Sequence, residues 1–196
     1  MNHYDIFTRN CHHTLDSLVM AVDSIVGQLE AAAATLTNTL LNDGKVISCG
    51  LNADSALAQL FSVNLLSQRE RPALPAISLN ADGGALASIA CREGTHEIFS
   101  RPLAALGNAG DSLLIISSDE PADALLAALN TAHERNMNIV VLSKFSDQLL
   151  SAHLHETDIH LPIPGDLPAR RVELTTVILQ NLCEFIDFNL FGSIPE

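Results

Sequence analysis

Val46-Ile47-Ser48-Cys49, Leu113-Leu114-Ile115-Ile116-Ser117 and Ile139-Val140-Val141-Leu142 are three short runs in which nearly every residue is apolar. A strand with one wet face alternates apolar and polar side chains. A strand that is apolar throughout is buried on both faces, as happens when helices cover a parallel sheet. Ala76-Ile77-Ser78-Leu79 and Asp158-Ile159-His160-Leu161 complete the set, and stretches long enough for helices separate all five. Strands interleaved with helices in this way predict an α/β fold with a doubly wound, mainly parallel five-stranded sheet of the flavodoxin-like kind.

Before the first strand the chain reads as helix. Phe7, Cys11, Leu15, Leu18, Val22, Ile25 and Leu29 recur at spacings of three or four and fall on one helical face. A second helix is expected from about Gln28 to Asn42, stopped by Asp43-Gly44. The last helix should start at Pro168 and run to about Phe188. Residues 1–196 are therefore expected to form a single domain. Its first 42 residues would be helices that contribute to oligomer packing, and residues 43–196 the α/β core.

Composition narrows the function classes. With 23 acidic against 10 basic side chains, the net charge of −13 repels a phosphate backbone, so direct nucleic-acid binding is not expected. There is no long uninterrupted apolar stretch and no basic-then-apolar leader, which argues against a membrane span or signal peptide and for the cytoplasm. Cys11, Cys49, Cys91 and Cys183 lack ligand-like spacing and read as buried reduced thiols, with no metal or other cofactor implied. The one fresh metal candidate is the run His153-Leu154-His155-Glu156-Thr157-Asp158-Ile159-His160, because alternate residues of an extended segment face one side. A polar loop leading into an edge strand explains that run more simply, and the neighbours His12 and His13 cannot chelate together.

The order of the elements, with Cys49-Gly50, Ala58-Gln59-Leu60-Phe61, Arg71-Pro72-Ala73-Leu74-Pro75-Ala76-Ile77 and Gly110-Asp111-Ser112-Leu113-Leu114, resembles the sugar-isomerase (SIS) family and its phosphoheptose isomerase branch. The resemblance implies a site in two loops at the carboxyl ends of strands. That branch reads Gly-Asn-Gly-Gly-Ser in the first loop and Ser-Thr-Ser-Gly-Asn-Ser in the second, where they wrap a sugar phosphate. Here the loops read Gly50-Leu51-Asn52-Ala53-Asp54 and Ser117-Ser118-Asp119-Glu120-Pro121-Ala122. Pro121 removes an N–H donor and Asp119 and Glu120 add carboxylates, so a sugar phosphate is not expected to seat well. Asp54 is expected to cap the following helix. Where the isomerases place His, Glu and Gln, this chain has Leu60, Asn64, Val172, Thr175 and Gln180, keeping only Glu173 beside Arg170 and Arg171. Leucine and valine neither ligate a metal nor move a proton, so the chain is expected to have no catalytic residues and to work by binding.

A closer resemblance indicates the partner. Leu40-Leu41-Asn42, Ala105-Leu106-Gly107 and the ending Leu182-Cys183-Glu184-Phe185-Ile186-Asp187-Phe188-Asn189-Leu190-Phe191 are similar to the DiaA-like branch of the family. Its members are homotetramers that bind the N-terminal domain of the replication initiator DnaA. The resemblance implies an adaptor that promotes assembly of initiation complexes, with a protein-binding surface at Leu190 and Phe191 extended by Arg71, Pro72 and Phe99. The alternative is a phosphoheptose isomerase-type or sugar-phosphate-binding SIS protein, acting on sedoheptulose 7-phosphate.

Overall fold

The computed structural model describes residues 2–69, 71–119 and 122–192. Helix α1 (His3–Leu41) leads into β1 (Val46–Gly50), α2 (Ala53–Ser67) and β2 (Ala76–Ser78). Two helices, α3 (Gly83–Glu93) and α4 (Ser100–Leu106), then precede β3 (Ser112–Ser117), α5 (Asp123–Glu134), β4 (Asn138–Lys144), β5 (Ile159–Ile163) and α6 (Pro168–Phe191). All pairings are parallel and the strand order is β2-β1-β3-β4-β5. The chain winds outward in both directions from β1 and β3, so the gap between those two strands is the point where the winding reverses.

The continuous apolar runs are explained by two covered faces. Along β1, β3 and β4 one set of alternate residues, including Val46, Leu114, Ile116 and Val140, packs with α1, α2 and α6. The other set, including Ile47, Leu113, Ile115 and Val141, packs with α4 and α5. Register is held at the base of the sheet by Val46 opposite both Ala76 and Ser112, and by Ser112 opposite Asn138.

Four sequence expectations are corrected here. The two N-terminal helices are one helix, whose axis turns by 66° between His3–Val22 and Ser24–Leu41. Gly27 does not stop it: a side chain there would meet nothing, and Ala21, Ile25 and Leu29 on either side are buried. Of the predicted stripe, Ile25 and Leu29 are buried and Leu18 packs partly on the core, whereas Phe7, Leu15 and Val22 are exposed. The final helix continues past Phe188 to Phe191, where Gly192 at φ +78° ends it and donates its N–H to the Phe188 carbonyl. The thiols also divide: Cys49 and Cys183 are buried, which pushes both up to about 12, whereas Cys91 is exposed. Among the described residues no single helix is long and apolar enough to cross a membrane.

At the base of the sheet, Asp111 accepts from the backbone N–H of Lys45 (2.9 Å) and of Asn108 (2.8 Å) and from Lys45 Nζ (2.5 Å). Burial alone would raise its carboxyl, but the Lys45 and Asn108 contacts outweigh burial and hold it below the usual aspartate range. A depressed carboxyl contributes stability that is present above the unfolded value of about 4 and is lost as pH falls through the folded value. Urea midpoints are therefore expected to drop below about pH 4, and to drop less in Asp111→Asn.

Candidate functional site

In an open parallel sheet ligands bind beyond the carboxyl ends of the strands, at the point where the winding reverses. Here the β1 end turns sharply. A Cβ on Gly50 would lie 2.6 Å from the Asp54 carbonyl oxygen, so only glycine fits. The Asn80 side chain brackets the same peptide, accepting from Gly50 N–H (3.1 Å) and donating to its carbonyl (2.8 Å). Asn52 follows at φ +53°, ψ −124°, a conformation that costs an L residue roughly 1–3 kcal/mol. Replacing Asn52 by glycine is expected to raise the melting temperature by a few degrees, corresponding to about 1 kcal/mol recovered.

Asp54 does not cap α2, contrary to expectation. Its buried carboxylate crosses to the β3 loop and accepts from Ser118 N–H and Ser118 Oγ–H, both at 2.7 Å. A capping rule is local and does not register a donor from a neighbouring strand. Burial pushes the Asp54 carboxyl up, and the two Ser118 bonds offset part of that rise. The Ser118 N–H, one of the backbone donors of this loop, is thus already taken.

Arg171 closes the network. Although it stands next to Arg170 in the sequence, Arg171 is buried, and its Nε donates to the Ser118 carbonyl. Its other nitrogens reach the carbonyls of Gly165 (3.1 Å) and Asp166 (3.0 Å) and the Asp119 carboxylate (3.1 Å). It is Arg170 that pairs with Glu173, at 2.8 Å, while Thr14 of α1 donates to the same carboxylate at 2.5 Å. Arg171 therefore fixes the loop after β3 to the start of α6. Beside it opens a cleft of about 840 Å³ lined by Asp119, Lys144, Ser146 and Arg171 together with Ser24 and Gln28 of α1. Lys144 was missed in the sequence, although its position directly after an apolar run places it at a strand's carboxyl end.

The positions matched to the isomerase set are distributed as follows. Asn64 of α2 donates to Gln180 of α6 at 3.2 Å, Leu60 and Val172 are half-buried, and Thr175 is buried with a hydroxyl that has no partner. Glu120 and Pro121 lie outside the described residues.

The chain was compared with known proteins. The family model described as SIS domain matches residues 11–144. The chain belongs to the SIS-domain family. The phosphoheptose isomerase of Alkalilimnicola ehrlichii is 35% identical over 98% of this chain and 99% of its own length. That of Methylococcus capsulatus is 34% identical over 98% and 100%. Among solved structures, the phosphoheptose isomerase GmhA of Neisseria gonorrhoeae has a TM-score of 0.90 at 28% identity, covering 95% of this chain and 99% of its own. A phosphoheptose isomerase from Francisella tularensis also reaches 0.90, at 29% identity over the same shares.

These relatives overturn two expectations for this SIS-domain chain. Proteins that match it end to end are enzymes, so the reading of a non-catalytic DnaA adaptor is replaced, and the substitutions at Leu60, Val172 and Thr175 do not make the chain a non-enzyme. Of the residues from which the sequence drew a partner surface, Phe99 and Arg71 lie in the interior. Phe99 is fully buried against Leu103 and Leu113. Arg71 is buried and ion-paired with Asp187 of α6. Pro72 is exposed. In α6, Leu190 is half-buried on the core and Phe191 is 44% exposed, because consecutive helical residues point about 100° apart and cannot share a face.

Proposed function

We propose that this chain is a phosphoheptose-type isomerase that interconverts the aldose and ketose forms of a phosphorylated seven-carbon sugar in the cleft at the carboxyl ends of β3 and β4. The observation that carries the reading is the end-to-end match, at 34–35% identity, to phosphoheptose isomerases. Such an isomerisation needs no oxidant. A base takes the proton from the carbon next to the carbonyl and returns it to the former carbonyl carbon, while a hydroxyl proton passes between the two oxygens.

The cleft supplies suitable groups. Lys144 offers positive charge to a phosphate, and Asp119, with its side chain 51% exposed and held by the buried Arg171, is the carboxylate that would move the proton. The direct test is sedoheptulose 7-phosphate followed by NMR for the appearance of the aldose. Turnover, with KM raised about tenfold or more in Lys144→Met, supports the reading; no turnover and no ligand-induced shift in melting temperature overturns it.

We also propose that the chain assembles with copies of itself, as a homotetramer in the cytoplasm. The free thiols fit a reducing compartment. Phe7, Leu15, Val19 and Val22 are exposed along the first half of α1, and burying each is worth roughly 1.5–3 kcal/mol. A second copy of the same helix covers such a stripe symmetrically, whereas an anionic membrane repels a chain of charge −13. Light scattering should report a tetramer that falls to smaller species in Val19→Glu, Val22→Glu; a wild-type monomer refutes the assembly.

A further inference from the structure

One cluster plays no part in the cleft. His133 sits in the last turn of α5, and Asp158 immediately precedes β5. His133 Nε2 lies 2.7 Å from Asp158 Oδ2, and the same oxygen accepts from the backbone N–H of His155 at 2.7 Å. The His155 ring stacks on that of His133 with centroids 3.7 Å apart and planes 14° from parallel. Each of the three residues thus offers a ligand atom, and those atoms lie within 4.8 Å of one another. The other two histidines of the sequence run point elsewhere, His153 to the Leu149 carbonyl and His160 to Ser143.

We propose that His133, His155 and Asp158 form a binding site for a borderline divalent metal ion of the zinc type. Two imidazoles with one carboxylate favour such an ion over magnesium or calcium, which prefer oxygen alone. Three protein ligands leave a fourth tetrahedral position for water. The geometry needs only small movements. At metal–ligand lengths of about 2.0–2.2 Å, tetrahedral ligand atoms stand roughly 3.3 Å apart. The ion replaces the proton now shared by His133 and Asp158, and those two atoms separate by about half an ångström. The parallel rings aim their in-plane nitrogens side by side, so one ring must turn. His155 is the exposed one and is able to do so.

Burial and charge are arranged for this. The Asp158 and His133 side chains are only 4% and 15% exposed, which holds two ligands in place while His155 leaves an entry path. The carboxyl-terminal end of α5 adds partial negative charge beside His133. In a parallel sheet the helices run opposite to the strands, so the end of α5 and the start of β5 lie at the amino edge of the sheet. The cleft lies at the carboxyl edge. The bound ion would therefore tie α5 to the loop that enters the edge strand β5, independently of catalysis.

The experiment is zinc titration of the full chain against a competing chromophoric chelator, with cobalt absorption as a second readout. One equivalent per chain should bind tightly, tetrahedral cobalt bands should appear, and zinc should raise the melting temperature. His155→Ala and His133→Gln should each weaken binding at least about tenfold, whereas His153→Ala should not. His155 is exposed, so its loss leaves the fold intact, and every other histidine and the exposed Cys91 remain as background. If wild type and His155→Ala bind zinc alike, or neither binds it, the three residues are a structural His–Asp contact and the proposal is wrong.

Discussion

Arg71→Met is expected to lower the free energy of unfolding by about 3–5 kcal/mol. Arg71 and Asp187 form an ion pair between the segment after α2 and the last helix, and both side chains are almost wholly withdrawn from water. Arg71 also donates to the carbonyls of Leu65 (2.8 Å) and Asn64 (3.2 Å), so it closes the end of α2 as well. Removing the cation strands a buried carboxylate and two carbonyls together. The Asp187 carboxyl is already raised, because burial opposes its charge more than the Arg71 guanidinium favours it. That direction sets the sign of a pH test. A raised carboxyl binds its proton more tightly in the folded state, so in Arg71→Met the loss should shrink as pH is lowered and Asp187 becomes neutral. Pairing the change with Asp187→Leu should restore most of the stability, since replacing both partners by apolar groups removes the stranded charge. Urea unfolding of the two variants measures both. A single variant within 1 kcal/mol of wild type would mean that the pair adds little to the fold.

The sheet was legible because burial on both faces leaves a mark in composition: Leu113 to Ile116 cannot belong to anything half-exposed. Strand ends were less legible because a hydrogen-bonded ladder runs on past the apolar residues, as β4 does from Asn138 to Lys144. Local rules failed where a side chain's partner is distant in sequence. Asp54 looks like a cap but bonds Ser118, and Arg71 looks like a surface corner but meets Asp187. Phe99 stands with Ile98 after a run of polar residues, yet it lies in the core just before the first residue of α4. In each case the deciding contact is tertiary and leaves no periodic trace. The same holds for the His133–Asp158 contact, of which the sequence displayed only the 153–160 half. The helical stripe of α1 was read correctly as apolar, but periodicity does not say whether the covering surface is the same chain or another copy.

Asp119→Asn is expected to cut kcat on sedoheptulose 7-phosphate by about 10²–10⁴-fold with KM little changed, the signature of a lost proton-transfer group rather than a lost contact. The contrast with Asp54 makes the test specific. Both carboxylates lie at the β1 and β3 ends, and both are within the field of Arg171, but they differ in access: Asp119 opens to the cleft, whereas both oxygens of Asp54 are occupied by Ser118. A carboxylate that accepts two hydrogen bonds and is sealed from solvent holds a loop; burial keeps a substrate proton away from its remaining lone pairs. Asp54→Asn keeps an acceptor for the Ser118 N–H and removes a charge that burial penalises. Its stability should therefore stay within about 1 kcal/mol of wild type, and kcat should fall far less than in Asp119→Asn. If Asp119→Asn keeps full kcat while Asp54→Asn abolishes it, the buried carboxylate is the base and the loop must open for substrate to reach it.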